Sequence, residues 1–226
     1  MKKTFLLLAF AAVSANMFAQ TKTVELKNAV DSANYANGVV MAMNVKRQMG
    51  ADFKMDAFMA AFNAALKGET TQISSDNANK IFGDYNRGAQ QRAIEKNKKE
   101  GQAFLDENKK RAGVMTTATG LQYEIMKKGT GTVSPKATDK VEVHYHGTLL
   151  DGTIFDSSVD RGTPAAFGLN QVIPGWTEGV QLMHEGDKFK FFLPSNLAYG
   201  DRGAGAKIKP GATLVFEVEL LRINPN

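Results

Sequence analysis

No cysteine occurs among the 226 residues. Disulfides are thereby excluded, along with a thiol nucleophile and a lipid anchor carried on an N-terminal cysteine. An excess of one charge is also lacking. The formal charge of +5 falls to +3 once Lys2 and Lys3 are removed with the leader described below, too mild a balance to suggest nucleic acid. Long hydrophobic runs are missing too: a membrane helix needs roughly 20 apolar residues, whereas the run from Phe5 to Val13 meets Ser14 and Asn16, and polar residues become dense from Gln20. None of the serines stands in a Gly-x-Ser-x-Gly elbow. Histidine is sparse. His144 and His146 have the spacing of two metal ligands on one strand face, with His184 as a conceivable third. They share that face with Glu142, opposite Val141, Val143 and Tyr145, so solvent exposure is the ordinary reading.

What is present is globular in composition, with 43% hydrophobic residues and a length that suits one large domain or two small ones. Met1-Lys2-Lys3-Thr4 followed by the apolar run reads as a signal peptide. Ala15 and Ala19 are candidate cleavage points, with the bond after Ala19 preferred, giving a leader over 1–19. The mature chain is then expected outside the cytoplasm, in the periplasm of a two-membraned cell.

Beyond Thr21 the period is helical. Ala36, Val39, Val40 and Met43 fall on one stripe expected to be buried, with Asp31 or Ser32 as cap. A second helix runs from Asp56 through Phe58, Met59, Phe62, Ala65 and Leu66 to a stop at Gly68. These two form the helical unit assigned to 20–73. They carry more apolar side chains than about 50 residues can bury alone, which implies a partner, most simply a second copy in a two-fold dimer. The alternative is that they pack on the C-terminal half. From caps at Ser74, Ser75 and Asp76 a third segment continues to Gly113, assigned to 74–115. As one helix of about 35 residues it would be on the order of 50 Å long. Its polar composition from Arg87 to Arg111 predicts a solvated rod between two bodies, although Gly83, Gly88 and Gly101 count against continuity.

From Thr116 the period becomes two. Val141, Val143, Tyr145 and Leu149 alternate with polar residues, as do Leu214, Phe216, Val218 and Leu220; Phe189, Phe191 and Leu193 form another strand and Leu121, Tyr123 and Ile125 a fourth. Turn residues at Asp151-Gly152, Gly162, Gly168 and Pro210-Gly211 separate them. The one helical candidate in this half is short, about Trp176 to Met183. The whole is an α+β protein: an all-α N-terminal domain and long linking helix, then an antiparallel half-barrel over 116–226 wrapped on a short helix. The run Gly200 to Gly205 lacks the strand-to-helix context of a phosphate loop and reads as a hairpin tip.

The half-barrel concentrates aromatic and aliphatic residues beside a few polar ones. In order these are Val143-His144-Tyr145-His146-Gly147, Asp151-Gly152-Thr153-Ile154-Phe155-Asp156-Ser157-Ser158, Val172-Ile173-Pro174-Gly175-Trp176, Leu197-Ala198-Tyr199-Gly200 and Leu214-Val215-Phe216-Glu217-Val218-Glu219-Leu220. Over about 116–223 this pattern closely resembles the FKBP-type prolyl isomerases. The N-terminal half resembles the helical dimerisation domain of the Mip and FkpA-like members, through Asp31-Ser32-Ala33-Asn34-Tyr35-Ala36-Asn37-Gly38, Ala65-Leu66-Lys67-Gly68 and the junction Thr116 to Tyr123.

The resemblance implies a five- or six-stranded half-barrel whose proline-binding pocket has Trp176 as its floor and Tyr145, Phe155, Phe167, Val172, Ile173 and Phe216 as walls. Asp156 and Tyr199 are its polar members, and Ile208 lies on an overhanging hairpin. Catalysis is implied for Asp156, Tyr199 and Tyr145, with no cofactor and no metal. Substrates would be proline-containing unfolded or nascent exported proteins, and macrolide inhibitors could occupy the same pocket. Two departures bear on ligand preference: Ala165 stands where many eukaryotic members carry Phe, and Ala204 to Lys207 replaces a more apolar tip. A non-catalytic dimeric chaperone using the barrel only to bind is the alternative reading.

Overall fold

The computed structural model describes residues 23–225. The expected leader and its cleavage bond lie outside them. No described helix is long and apolar enough to cross a membrane. The chain divides into two compact units, Met1–Gln72 and Ile73–Asn226.

In the first unit, α1 spans Ala29–Met49 and α2 spans Met55–Lys67. The cap of α1 is Asn28 rather than Asp31 or Ser32: its side-chain oxygen accepts from the Val30 and Asp31 amides at 2.8 and 2.9 Å, so the helix starts earlier than its apolar periodicity. Gly68 ends α2 in the left-handed region at φ 69°, as expected. Phe58 packs edge-on against Phe53 and stacks on Phe62, with ring centroids 5.4 and 5.7 Å apart. Neither helix holds a buried residue. The stripe expected to be buried on α1 is therefore exposed in the single chain, with Met43 at 66%, because two short helices have no third layer to cover it.

The second unit opens with α3, Ser75–Asn108, capped by Ser74, which accepts from the Asn77 amide. It is continuous through all three glycines and ends at Asn108, short of the expected Gly113. The expectation of a solvated rod is corrected as well. Ile94, Gly101, Leu105 and Asn108 are buried, Ile94 lying beside Gly211 in the segment that leads into β7. Leu105, flanked by Phe104, packs on Phe192 and Val215, which face each other across neighbouring strands. A Cβ on Gly101 would land on the Thr213 hydroxyl, so glycine is what permits the close approach. The helix end is tied down by a relay in which Arg111 donates to Asn108 Oδ1, Asn108 to Gln122 Oε1 and Gln122 to the Leu105 carbonyl, at 2.8, 2.8 and 2.9 Å.

Seven strands follow: β1 Val114–Thr116, β2 Gln122–Lys127, β3 Lys140–Leu149, β4 Ile154–Ser157, β5 Ala165–Gly168, β6 Lys188–Leu193 and β7 Leu214–Ile223. The antiparallel order is β1-β2-β6-β7-β3-β4, with β5 pairing the first residues of β3 on the same edge that β4 uses further along, opposite β7. The sheet has seven strands where five or six were expected, the short β1 and β5 accounting for the excess. On β3 and β7 the alternation predicts the inner face correctly: Val141, Val143, Tyr145, Leu214, Phe216, Val218 and Leu220 are all buried. Between β5 and β6 lies α4, Pro174–Val180, starting slightly earlier and ending sooner than its periodicity suggested, with Trp176 and Val180 buried on the sheet's concave side. Proline at its first position suits the fixed φ of a helix start.

Candidate functional site

The concave side of the sheet holds a cavity of about 850 Å³. All ten side chains expected at a site line it: Tyr145 from β3, Phe155 and Asp156 from β4, Phe167 from β5, Val172 and Ile173 from the turn entering α4, Trp176 from α4, Tyr199 and Ile208 from the connection between β6 and β7, and Phe216 from β7. Strand alternation turns Tyr145 and Phe216 inward. Gly147, opposite Phe216, leaves room for the Phe155 ring: a Cβ there would come within 2.7 Å of Phe155 and 2.9 Å of Phe216.

Trp176 is only 4% exposed. Tyr145, Phe167 and Phe216 meet its ring edge to face, with centroids 5.3, 5.8 and 5.3 Å away. Such contacts add about 0.5–1.5 kcal/mol each beyond simple burial, so the indole is held in one orientation. Its Nε1–H is buried without an acceptor among the described residues.

The polar side of the cavity is a compact triad. Tyr145 donates to Asp156 Oδ2 at 2.5 Å, Arg161 forms an ion pair with Asp156 Oδ1, and the other guanidinium nitrogen reaches the Tyr145 hydroxyl at 2.8 Å. Burial works to raise the Asp156 pKa, but hydrogen bonds from Tyr145 and Arg161 and the guanidinium charge outweigh it and hold the carboxyl below its ordinary range. Burial raises Tyr145, with the Asp156 hydrogen bond adding to the effect. Tyr199 is raised by burial and then by the Asp156 charge. At neutral pH the carboxylate is ionised and both phenols keep their protons.

The expectation of simply solvated histidines is corrected. His144 and His146 are half-buried, and their Nδ1 atoms meet the hydroxyls of Ser158 and Ser157 at 3.2 and 2.9 Å. No group of three or more potential metal-binding side chains occurs among the described residues.

This architecture has known counterparts. Residues 131–221 match the family profile described as FKBP-type peptidyl-prolyl cis-trans isomerase, and residues 30–125 match the domain amino-terminal to it. A probable FKBP-type peptidyl-prolyl cis-trans isomerase FkpA of Neisseria meningitidis is 45% identical over 86% of this chain and 74% of its own length. The FKBP-type 22 kDa isomerase of Escherichia coli is 41% identical, over 84% and 94% respectively. This chain belongs to the FKBP-type peptidyl-prolyl cis-trans isomerases. The crystal structure of FkpA from Escherichia coli superposes on this FKBP chain with a TM-score of 0.73 at 34% identity, covering 89% of this chain and 99% of that one.

Sequence reasoning missed several lining or supporting residues of this FKBP chain. Arg161 lies in a turn-rich stretch whose composition signals only a loop, and nothing in its neighbours reveals that it closes the Tyr145–Asp156 pair. Gln171 and the hairpin residues Ala204 to Lys207 also line the cavity. The hairpin is closed by a bridge between Ala204 and Ile208, as a tip rather than a phosphate loop requires. Its base is braced by α3: Asn97 donates to the Pro210 carbonyl at 2.8 Å, and Lys98 pairs with Asp201 at 2.6 Å. That brace was illegible in a helix read as a solvated rod.

Proposed function

We propose that this chain is an exported peptidyl-prolyl cis-trans isomerase that accelerates X-Pro isomerisation during the folding of other exported proteins, working as a homodimer joined through its N-terminal helices. The observation that carries the catalytic part is the convergence of ten side chains from separate elements on one apolar cavity floored by Trp176.

Rotation about a peptide bond faces about 18–20 kcal/mol because amide resonance is lost, and spontaneous X-Pro exchange takes roughly 10–100 s at 25 °C. No covalent bond has to form to lower that barrier. A twisted amide has lost the charge separation of the planar one, so an apolar cavity favours the twisted form relative to the ground state. The proline ring sits on Trp176 between Tyr145, Phe155, Phe167, Val172 and Phe216. Two donors are free for substrate carbonyls: neither the Tyr199 hydroxyl nor the Ile173 amide has a protein acceptor among the described residues. Asp156, held ionised by Arg161, sets the field near the rotating carbonyl.

The dimer reading rests on the apolar side chains that α1 and α2 leave uncovered. Export rests on the leader pattern, and one similar protein, from Legionella longbeachae, is named an outer membrane protein. A chaperone activity accompanies catalysis in this reading, and macrolide inhibitors compete for the Trp176 cavity.

A peptide refolding assay on a short X-Pro substrate tests the proposal. The wild type should accelerate exchange, and Tyr199→Phe should lower kcat/KM about two- to tenfold, the loss of one hydrogen bond of about 0.5–1.5 kcal/mol. Acceleration no greater than the uncatalysed rate would leave only the binding-module alternative.

A further inference from the structure

Among the residues lining the cavity only Asp156 and Lys207 carry formal charge. Their situations differ. Both Asp156 oxygens are engaged, one by Tyr145 and one by Arg161, so its charge is already neutralised. Lys207 has no acidic partner within ion-pairing distance among the described residues. Its Nζ donates at 2.7 Å to a neutral acceptor, the Ile154 carbonyl, which joins the hairpin tip to β4 on the far side of the mouth.

The rest of the overhang does not supply the missing negative charge. From Asp201 to Lys209 it carries Arg202, Lys207 and Lys209 against the single acid Asp201, which is taken by Lys98 on α3. Lys209 lies near Asp151, whose carboxyl is held below its ordinary range mainly by hydrogen bonds from Thr153 and only slightly by the Lys209 charge. The rim of a cavity whose other lining charge, Asp156, is already paired thus presents one cation with no acidic partner among the described residues, on an exposed side chain.

We infer that Lys207 is a specificity-determining residue that selects proline sites with an acidic side chain within two residues of the proline, exchanging its bond to the Ile154 carbonyl for one to the substrate carboxylate. The inference rests on the isomerase reading given above. The exchange is favourable because a carboxylate is a stronger acceptor for an ammonium than a neutral carbonyl. It also releases the strut across the mouth as the acidic peptide arrives. Because the site is exposed the effect is modest: an ion pair of this kind is worth about 1.4- to 5-fold in binding. Attraction of an acidic peptide and repulsion of a basic one together open a preference of about two- to twentyfold.

The test uses the full chain and NMR exchange spectroscopy on peptides with Glu, Gln or Lys before the proline and, in a second series, two residues after it. Wild type should favour Glu over Lys in kcat/KM in at least one series, mainly through KM, and the preference should shrink as salt is raised. Lys207→Met and Lys207→Glu both cut the strut to Ile154, so they separate charge from architecture. The methionine variant should lose the preference, the glutamate variant should reverse it, and Lys207→Arg should keep it. Equal values for all peptides in both series, or methionine and glutamate variants with the same ratio, would overturn the inference. If the wild type fails to accelerate even the Gln peptides, it is the isomerase reading that falls.

Discussion

Alanine at Gly88 should stabilise the protein whereas alanine at Gly101 should leave it no more stable or destabilise it, although both residues lie inside the same helix. Glycine costs about 1 kcal/mol relative to alanine in a helix interior, and at Gly88 that gain should appear almost undiminished. The new Cβ there meets only the mobile end of Arg92, at 3.3 Å. At Gly101 it would overlap the Thr213 hydroxyl and stand 3.1 Å from Thr213 Cβ, on a β7-proximal segment that cannot swing away. Overpacking of this sort costs about 1–3 kcal/mol, which cancels or exceeds the helix gain. The two variants should therefore differ by about 1–3 kcal/mol, or about 2–12 °C in Tm for a unit of this size. The single tryptophan, Trp176, lies in the barrel core and reports its unfolding by fluorescence. Thr213→Ala removes the overlapping oxygen, so the double variant should recover part of the loss, with a coupling of about 0.5–3 kcal/mol. A Gly101→Ala protein as stable as Gly88→Ala, or strictly additive effects with Thr213→Ala, would show that α3 does not dock as described.

Leu105→Ala should cost about 2–5 kcal/mol in urea unfolding by opening a void against Phe192 and Val215. A fragment starting at Ile73 should sediment as a folded monomer and the mature chain as a dimer. A fragment starting at Thr116 should be less stable by several kcal/mol, at about 1.5–3 kcal/mol for each large apolar side chain of α3 withdrawn from the sheet. The rate profile should be flat from about pH 5 to 9, because Asp156 titrates below an ordinary carboxylate and Tyr145 and Tyr199 above an ordinary phenol. The lowered Asp156 pKa also contributes stability that is present above the ordinary carboxylate value and lost as pH falls through the folded-state value. Arg161→Met should weaken that acid-side loss and move the acid limb of the activity profile upward; an unchanged limb would remove Asp156 from the site.

Much of the barrel was legible from local patterns. Period-two alternation places Tyr145 and Phe216 inward, because successive strand residues must face opposite sides. The other pocket residues were found through their resemblance to a known motif, since a lone Trp176 or Asp156 carries no periodicity of its own. Where the alternation broke, at Phe191-Phe192-Leu193 and Leu214-Val215-Phe216, the sequence contained the signal that both faces of the sheet are covered. What covers the second face could not be read from α3 itself, whose few contact residues, Ile94, Gly101, Leu105 and Asn108, are scattered among lysines and glutamates.

The sequence by itself determined the helices, the four longer strands and their inner face, because these follow from short-range periodicity, and it carried the motifs through which the pocket resembles a known family. Tertiary structure alone decided that Arg161 closes the Tyr145–Asp156 pair, that α3 braces the hairpin base and that Lys207 stands without a counter-ion among the described residues. Each of those depends on charges and surfaces brought together across long chain separations, where only the folded geometry fixes which group meets which.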